Sequence, residues 1–278
     1  MGFMFLVVIC YTVASIGDKT AVTKYKLNGN ELTFLMAASI SVYLMLYLPF
    51  DSRLMTISWQ SITSVIFITI SKLLEFQLAA IVLMEMSAFE LKAWIGTTLF
   101  ISYATDLITG TSQFNSETWI KFCFIAVTAT GLFLITKSGS RNIKYSKIIF
   151  PLLGYLLSKY SYGLAVNLSK EYISPTISLF TSLLILSAIL APKVKPLNLF
   201  RQKTAGALYY VGTKIPNFIG LICENIVASH SMTNYSFIQP MILIVLFVLN
   251  FFNRCECSKL NIVGGIVCIL GIVGFMIF

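Results

Sequence analysis

Apolar runs of bilayer length recur along this chain, separated by short polar breaks. A helix that crosses a membrane needs roughly 20 mostly apolar residues. Ten stretches meet that requirement: about 3–23, 31–50, 58–83, 85–108, 117–136, 147–168, 174–192, 204–227, 231–252 and 260–278. The breaks carry turn formers, namely "NGN" from 28, "FDSR" from 50, "GTSQFNS" from 110, "SGSRN" from 138 and "APKVKP" from 191. Where water is excluded the backbone must satisfy its own hydrogen bonds, so such spans are helices. The pattern predicts an all-α polytopic membrane protein with ten transmembrane helices and no room for a soluble domain. The opening "MGFMFLVVICYTVASI" reads as the first span, because no small-residue cleavage site follows it.

Composition agrees with the pattern. Of 278 residues, 57% are hydrophobic and 11% charged, against about 25% charged in a typical soluble domain. The net charge of +9 does not point to nucleic acid, because the basic residues sit in short loops between apolar runs, as orientation-setting charges do. Those charges are asymmetric. Lys24, Lys26, Lys92, Lys137, Arg141, Lys144, Lys147, Lys193, Lys195, Arg201, Lys203, Arg254 and Lys259 fall on one side, against Arg53, Lys121 and Lys170 on the other. Basic loops favour the cytoplasm, which predicts both termini outside. The cysteines make no disulfide framework: Cys10, Cys123, Cys223 and Cys268 lie in apolar segments, and "CEC" at Cys255 to Cys257 has neither a nearby histidine nor zinc spacing.

The two halves look related. "SETWIKFCFIAVTATGLFLITKSG" ends the first and "CSKLNIVGGIVCILGIVGFMIF" the second, each a polar start followed by a small-residue-rich apolar helix. "SKLLEF" at 71–76 lines up with "TKIPNF" at 213–218. Five spans is an odd number, so the second half must be inverted relative to the first, as in many secondary transporters. With these features, and with Pro240 in "SFIQPMILIVLFVL" and the polar "GDKTAVTK" of the first span, the chain resembles the ten-helix drug/metabolite transporter superfamily, in its EamA-like branch. The resemblance implies two five-helix repeats, 1–140 and 141–278. It also implies both termini in the cytoplasm, against the loop charges. For this multi-pass protein the short loops suggest a bacterial inner membrane, with an organelle membrane as the alternative. The chain departs from the family in the fourth span, where Trp94 stands in place of a proline.

Charged residues inside the spans carry the candidate chemistry, because an intramembrane charge faces a partner or a water-filled cavity. Lys72 and Glu75 are three apart and share a helix face. They read either as a self-neutralising pair or as the lining of a central cavity. Lys214 occupies the place of Lys72 in the second half, but Asn217 stands where Glu75 does, so Lys214 needs another partner. Facing each other across a pseudo-symmetric cavity, the two lysines would hold an anionic group. Glu224, ten residues on, is about 15 Å away along a helix, too far for Lys214 unless Pro216 breaks the geometry. The sixth span, which matches the first in the second half, holds Lys159 and Tyr162. The first holds Asp18 and Lys19. They read equally as surface charges and as site residues, and the resemblance allows Asp18 a proton-coupling role shared with Glu75. Asp106, Glu85 and Glu90 read as solvated charges at helix ends.

Tyr155, Tyr160, Tyr162, Tyr209, Tyr210 and Trp94 are candidates for an aromatic cage, with Tyr162 and Trp94 preferred; Gln239 and Asn217 offer neutral hydrogen bonds. Gly264, Gly265, Gly271 and Gly274 read as close helix packing. The single histidine, His230, reads as a loop residue before the ninth span. It leaves little acid–base machinery, and no nucleophile elbow, metal cluster or Walker loop appears. The expectation is therefore a transporter and not an enzyme, needing no metal or cofactor. Its partners would be a small anionic or zwitterionic metabolite, the surrounding lipid, and a proton or counter-substrate. Two other readings stand beside it. Glu75 and Asp18 with aromatic neighbours would suit an amine, and fully self-neutralised charges would suit a non-transporting membrane assembly subunit.

Overall fold

Helix is the regular structure throughout the described part of the chain. A computed structural model describes residues 2–51, 58–85, 91, 94–95, 98–113, 115–137, 145–252 and 259–277. In chain order the helices are α1 (Gly2–Thr23), α2 (Gly29–Tyr47), α3 (Trp59–Glu85), α4 (Leu99–Ile108), α5 (Ser116–Lys137), α6 (Tyr145–Ser169), α7 (Pro175–Val194), α8 (Pro196–Gln202), α9 (Thr204–His230), α10 (Met232–Phe252) and α11 (Lys259–Ile277). A 3₁₀ turn, Leu48–Phe50, follows α2. Among the described residues there is no strand. Arg53, Glu90, Lys92, Arg141, Lys144, Arg254 and the Cys255 to Cys257 pair lie outside the described residues.

The polar breaks act as helix boundaries for identifiable reasons. "NGN" supplies a capping box: Asn28 Oδ1 accepts from the Glu31 N–H at 2.9 Å, and the Glu31 carboxylate accepts from the Asn28 N–H at 2.8 Å. Lys203 then pairs with Glu31 at 2.7 Å. In "APKVKP", Lys195 adopts a left-handed conformation (φ 50°) that ends α7, and Pro196 opens the short α8 at a position where no N–H is missed.

Among the described residues, five segments are long and apolar enough to cross a membrane: α1, Gly29–Phe50, α3, Glu117–Ile135 and α7. α6 and α9, at 25 and 27 residues, match them in length but carry Lys159, Lys214 and Glu224. Burial is inside out relative to a soluble protein. Ile9, Leu46 and Leu157 are more than 60% exposed, whereas Lys72, Lys214 and Glu224 are at most 1% exposed. That distribution suits a membrane protein.

The chain forms two compact units, each built from two separate stretches of the sequence: 1–85 with 144–229, and 86–143 with 230–278. In the first, α3 packs on α6 and α7, and α2 packs on α7. α1 meets α9 closely, for a side chain at Gly17 would overlap Thr213 and one at Gly220 would overlap Tyr11. In the second, α5 and α11 pack most extensively. A Cβ on Gly264 would lie 2.8 Å from the Gly131 carbonyl, and one on Gly271 would lie 2.6 Å from the Thr128 nitrogen. The glycine stripe is therefore a helix contact, as the small-residue pattern suggests.

Two expectations are corrected. Asp106 is not a solvated helix-end charge: it is 1% exposed. Its carboxylate accepts from the N–H groups of Met232 (2.9 Å) and Thr233 (2.8 Å) and from the Ser231 hydroxyl (2.7 Å). It thus caps α10 from α4, and a carboxylate is favoured where a helix start leaves N–H groups unsatisfied. His230 closes α9 and is not in a loop. Glu85, by contrast, is exposed at the end of α3.

Candidate functional site

Buried charge concentrates in the first unit, where α3, α6 and α9 each contribute to one network. Lys72 Nζ donates to Glu75 Oε2 at 2.7 Å, one turn along α3. Glu75 Oε1 lies 3.3 Å from Lys159 Nζ on α6. Lys159 in turn donates to Glu224 Oε1 on α9 at 2.7 Å, and Tyr11 of α1 donates its hydroxyl to Glu224 Oε2. Two ammonium groups and two carboxylates alternate, so formal charge cancels. Paired and hydrogen-bonded in this way, ions tolerate removal from water.

Aromatic rings extend the network. Lys72 Nζ sits 3.5 Å from the centre of the Tyr162 ring, a cation–π distance. The Tyr162 hydroxyl donates to Asn225 Oδ1, and Asn225 Nδ2 donates to the Pro175 carbonyl at 3.3 Å. A continuous polar chain therefore runs from Tyr11 through both ion pairs to the start of α7.

Lys214 has its own arrangement. Its partner is Asp18 of α1, and its Nζ lies 4.1 Å from the centre of the Tyr210 ring. The lysine side chain is fully buried, while the Asp18 side chain is 30% exposed, so this pair is reachable from the carboxylate side alone. Glu224 pairs with Lys159 rather than Lys214, as the helix rise requires.

Asn217 stands between the two clusters. Lys214, Asn217, Leu221 and Glu224 recur at helical spacing on the buried face of α9. Asn217 is 5% exposed, and its Nδ2 is buried with no hydrogen-bond partner. Tyr155, also buried, lies within electrostatic reach of Asp18, Glu75 and Glu224.

Of the residues singled out from sequence, Lys72, Glu75, Tyr162, Asp18, Lys214 and Asn217 thus belong to one unit. Trp94 and Gln239 belong to the other. Trp94 is half-buried. Gln239 is 2% exposed with its Oε1 unpartnered, on the helix where Ser236 and Ser102 of α4 share a 2.5 Å hydrogen bond. Lys19 Nζ donates to the Leu83 carbonyl at 2.6 Å.

Tyr11 and Asn225 complete the network without any signal in the sequence, since a lone tyrosine or asparagine in an apolar run is ordinary. Lys159 and Glu224 carry a weak one: each is a charge near the middle of a span-length helix. Among the described residues no cluster of His, Cys, Asp and Glu is arranged to hold a metal ion. Compared with known proteins, the chain matches no family model and no curated sequence.

Proposed function

We propose that the protein is a secondary transporter that moves a small polar metabolite across a membrane by alternating access, as its resemblance to the EamA-like drug/metabolite transporters implies. The observation that carries this reading is Asn217. A buried amide donor left without an acceptor costs about 1–3 kcal/mol, and this one lies on one helix face between the Lys214 pair and the Glu224 network. A ligand acceptor seated there would remove that cost.

The charge balance narrows the substrate class within the anionic or zwitterionic range. The network of Lys72, Glu75, Lys159 and Glu224 is already neutral, which favours a zwitterion such as an amino acid over a multiply charged anion. Its carboxylate would replace Asp18 on Lys214, and the displaced, partly exposed Asp18 would take up a proton. Substrate on Lys214 and a proton on Asp18 would then be taken up together, which couples their movements. Glu75 holds Lys72 and Lys159 in place and is the second candidate for proton coupling.

The test is transport of labelled zwitterions and anions into proteoliposomes, with Lys214→Ala beside wild type. The variant should fold, because the carboxylate it strands is partly exposed, and it should lose substrate binding. Unchanged transport by Lys214→Ala overturns the assignment. Complete self-neutralisation also favours a second reading, a membrane assembly subunit that transports nothing. It predicts no thermal stabilisation by any small metabolite, whereas a transporter's stability rises with substrate concentration over its dissociation constant.

A further inference from the structure

Positive charge gathers at one end of the first unit. The segment from the last turn of α7 to the start of α9 carries Lys193, Lys195, Arg201 and Lys203, and the turn between α1 and α2 carries Lys24 and Lys26. Packing brings the two segments together. Lys203 Nζ donates to the Lys26 carbonyl at 3.1 Å and pairs with Glu31 at 2.7 Å. A Cβ on Gly206 would lie 2.9 Å from the Cβ of Tyr25, and the rings of Tyr25 and Tyr209 are 5.1 Å apart. Glu31 is thus taken by Lys203. Lys24, Lys26, Lys193, Lys195 and Arg201 are exposed, and among the described residues no acid pairs with any of them.

Charges that set orientation need only lie in the right loops, but this patch has further features. Lys26 (φ 51°) and Lys195 (φ 50°) stand at left-handed positions that glycine or asparagine fills more readily, so turn geometry calls for a lysine at neither. Buried Leu199 anchors α8, while Leu197 is 89% exposed and Phe200, next to Arg201, is exposed as well. An exposed apolar face continues along α9 through Leu208, Ile215 and Ile219, at helical spacing. Tyr25 and Tyr209 lie where this face meets the lysines, and tyrosines gather at headgroup depth. Cations at that depth beside an apolar face suit a molecule that carries a phosphate on acyl chains. We propose that this face binds an anionic phospholipid, with its phosphate on Lys26, Lys195 and Arg201 and its chains along Leu208, Ile215 and Ile219. A nucleic acid or an acidic protein segment would use the cations and leave the apolar face without a role. Lipid binding here is independent of whether the protein transports.

The experiment is native mass spectrometry of the purified full chain from detergent micelles holding equal amounts of phosphatidylglycerol and phosphatidylcholine with matched acyl chains, beside thermal unfolding with each lipid alone. Phosphatidylglycerol should be retained in preference and should raise the unfolding midpoint more. A basic residue near an anionic lipid surface is worth about fivefold in affinity. The triple variant Lys26→Asn, Lys195→Asn, Arg201→Gln places asparagine at both left-handed positions and should cut retention of phosphatidylglycerol roughly tenfold or more, with phosphatidylcholine unchanged. Lys24→Gln with Lys193→Gln, at exposed positions outside those turns, should fold regardless and cut it about threefold or more. Lys121→Gln, in the second unit, should change nothing. The proposal is overturned if the two lipids are retained alike, if both multiple variants retain phosphatidylglycerol like wild type, or if Lys121→Gln loses as much as they do. Sodium phosphate raising the midpoint as much as phosphatidylglycerol would also overturn it, by reducing the site to one for free phosphate. The same rise with polyglutamate in place of lipid would overturn it in favour of an acidic protein partner.

Discussion

Lys72 and Lys214 begin two similar six-residue stretches, "SKLLEF" and "TKIPNF", yet they are neutralised by different means. Lys72 takes its carboxylate from its own helix, one turn on, and shares it with Lys159. Lys214 has an asparagine at that offset and takes Asp18 from α1 instead. Both ammonium groups also lie over a tyrosine ring, Tyr162 at 3.5 Å and Tyr210 at 4.1 Å. The first arrangement is closed, since Glu75 is 7% exposed and bridges two lysines. The second has an accessible acid on an inaccessible base. A pair that must exchange partners is better built in the second way, because a competitor reaches the carboxylate side without prising open a buried network.

The largest effect should follow from breaking the closed arrangement. Glu75→Gln leaves Lys72 without its acid and removes one acid from Lys159. Breaking a buried pair by deleting one partner costs about 3–5 kcal/mol, so thermal unfolding in detergent should fall sharply in midpoint. Asp18→Asn leaves Lys214 facing a partly solvated amide and should cost less, about 1–3 kcal/mol. Equal losses in the two variants would mean that the two lysines are held alike and that the contrast has no energetic content.

Moving the carboxylate sharpens the contrast further. Asn217→Glu in an Asp18→Asn background gives Lys214 the own-helix acid that Lys72 has, and should recover much of the stability lost in Asp18→Asn. In an otherwise wild-type chain the same substitution adds an uncompensated buried charge and should destabilise. A double-mutant cycle over the thermal midpoints separates the two effects; simple additivity would show that positions 18 and 217 do not serve the same lysine.

These residues also show which parts of the molecule were legible in sequence. Helix positions were, because a membrane imposes a length and an apolar composition that each run declares: α3 at Trp59–Glu85 and α9 at Thr204–His230 follow the expected 58–83 and 204–227 closely. The Lys72–Glu75 pair was legible because a helix fixes what lies three residues on. Partners on other helices were not. Nothing local in sequence tells that Glu224 faces Lys159 and Tyr11, or that Asp18 faces Lys214, since these meetings depend on which helix packs beside which. Asp106 misleads for the same reason: the N–H groups it satisfies belong to a helix more than a hundred residues away. The short α8 lies hidden inside what reads as a loop, because the seven residues that Pro196 opens carry too little periodicity to register.

The aromatic lids allow a finer comparison. Tyr162→Phe keeps the ring over Lys72 and deletes the hydroxyl that meets Asn225, so it should cost about 1 kcal/mol. Tyr162→Leu removes the ring as well and should cost roughly 0.5–2 kcal/mol more. Equal midpoints for the two variants would show that the ring contributes nothing beyond filling space.

The smallest effect on the empty protein should come from Asn217→Ala. Its Nδ2 has no partner to lose, so the substitution removes an unmet donor along with some packing, and these oppose each other. Wild type and variant should then unfold within about 1 kcal/mol of each other without ligand. The difference should appear when ligand is added: a zwitterion that stabilises wild type should stabilise Asn217→Ala much less. A large loss of stability in the empty variant would mean that the amide is satisfied in the resting protein and that Asn217 is a brace between the two charge clusters. Equal ligand-induced shifts in the two proteins would remove Asn217 from the site and leave Lys214, with its displaceable acid, to hold the substrate alone.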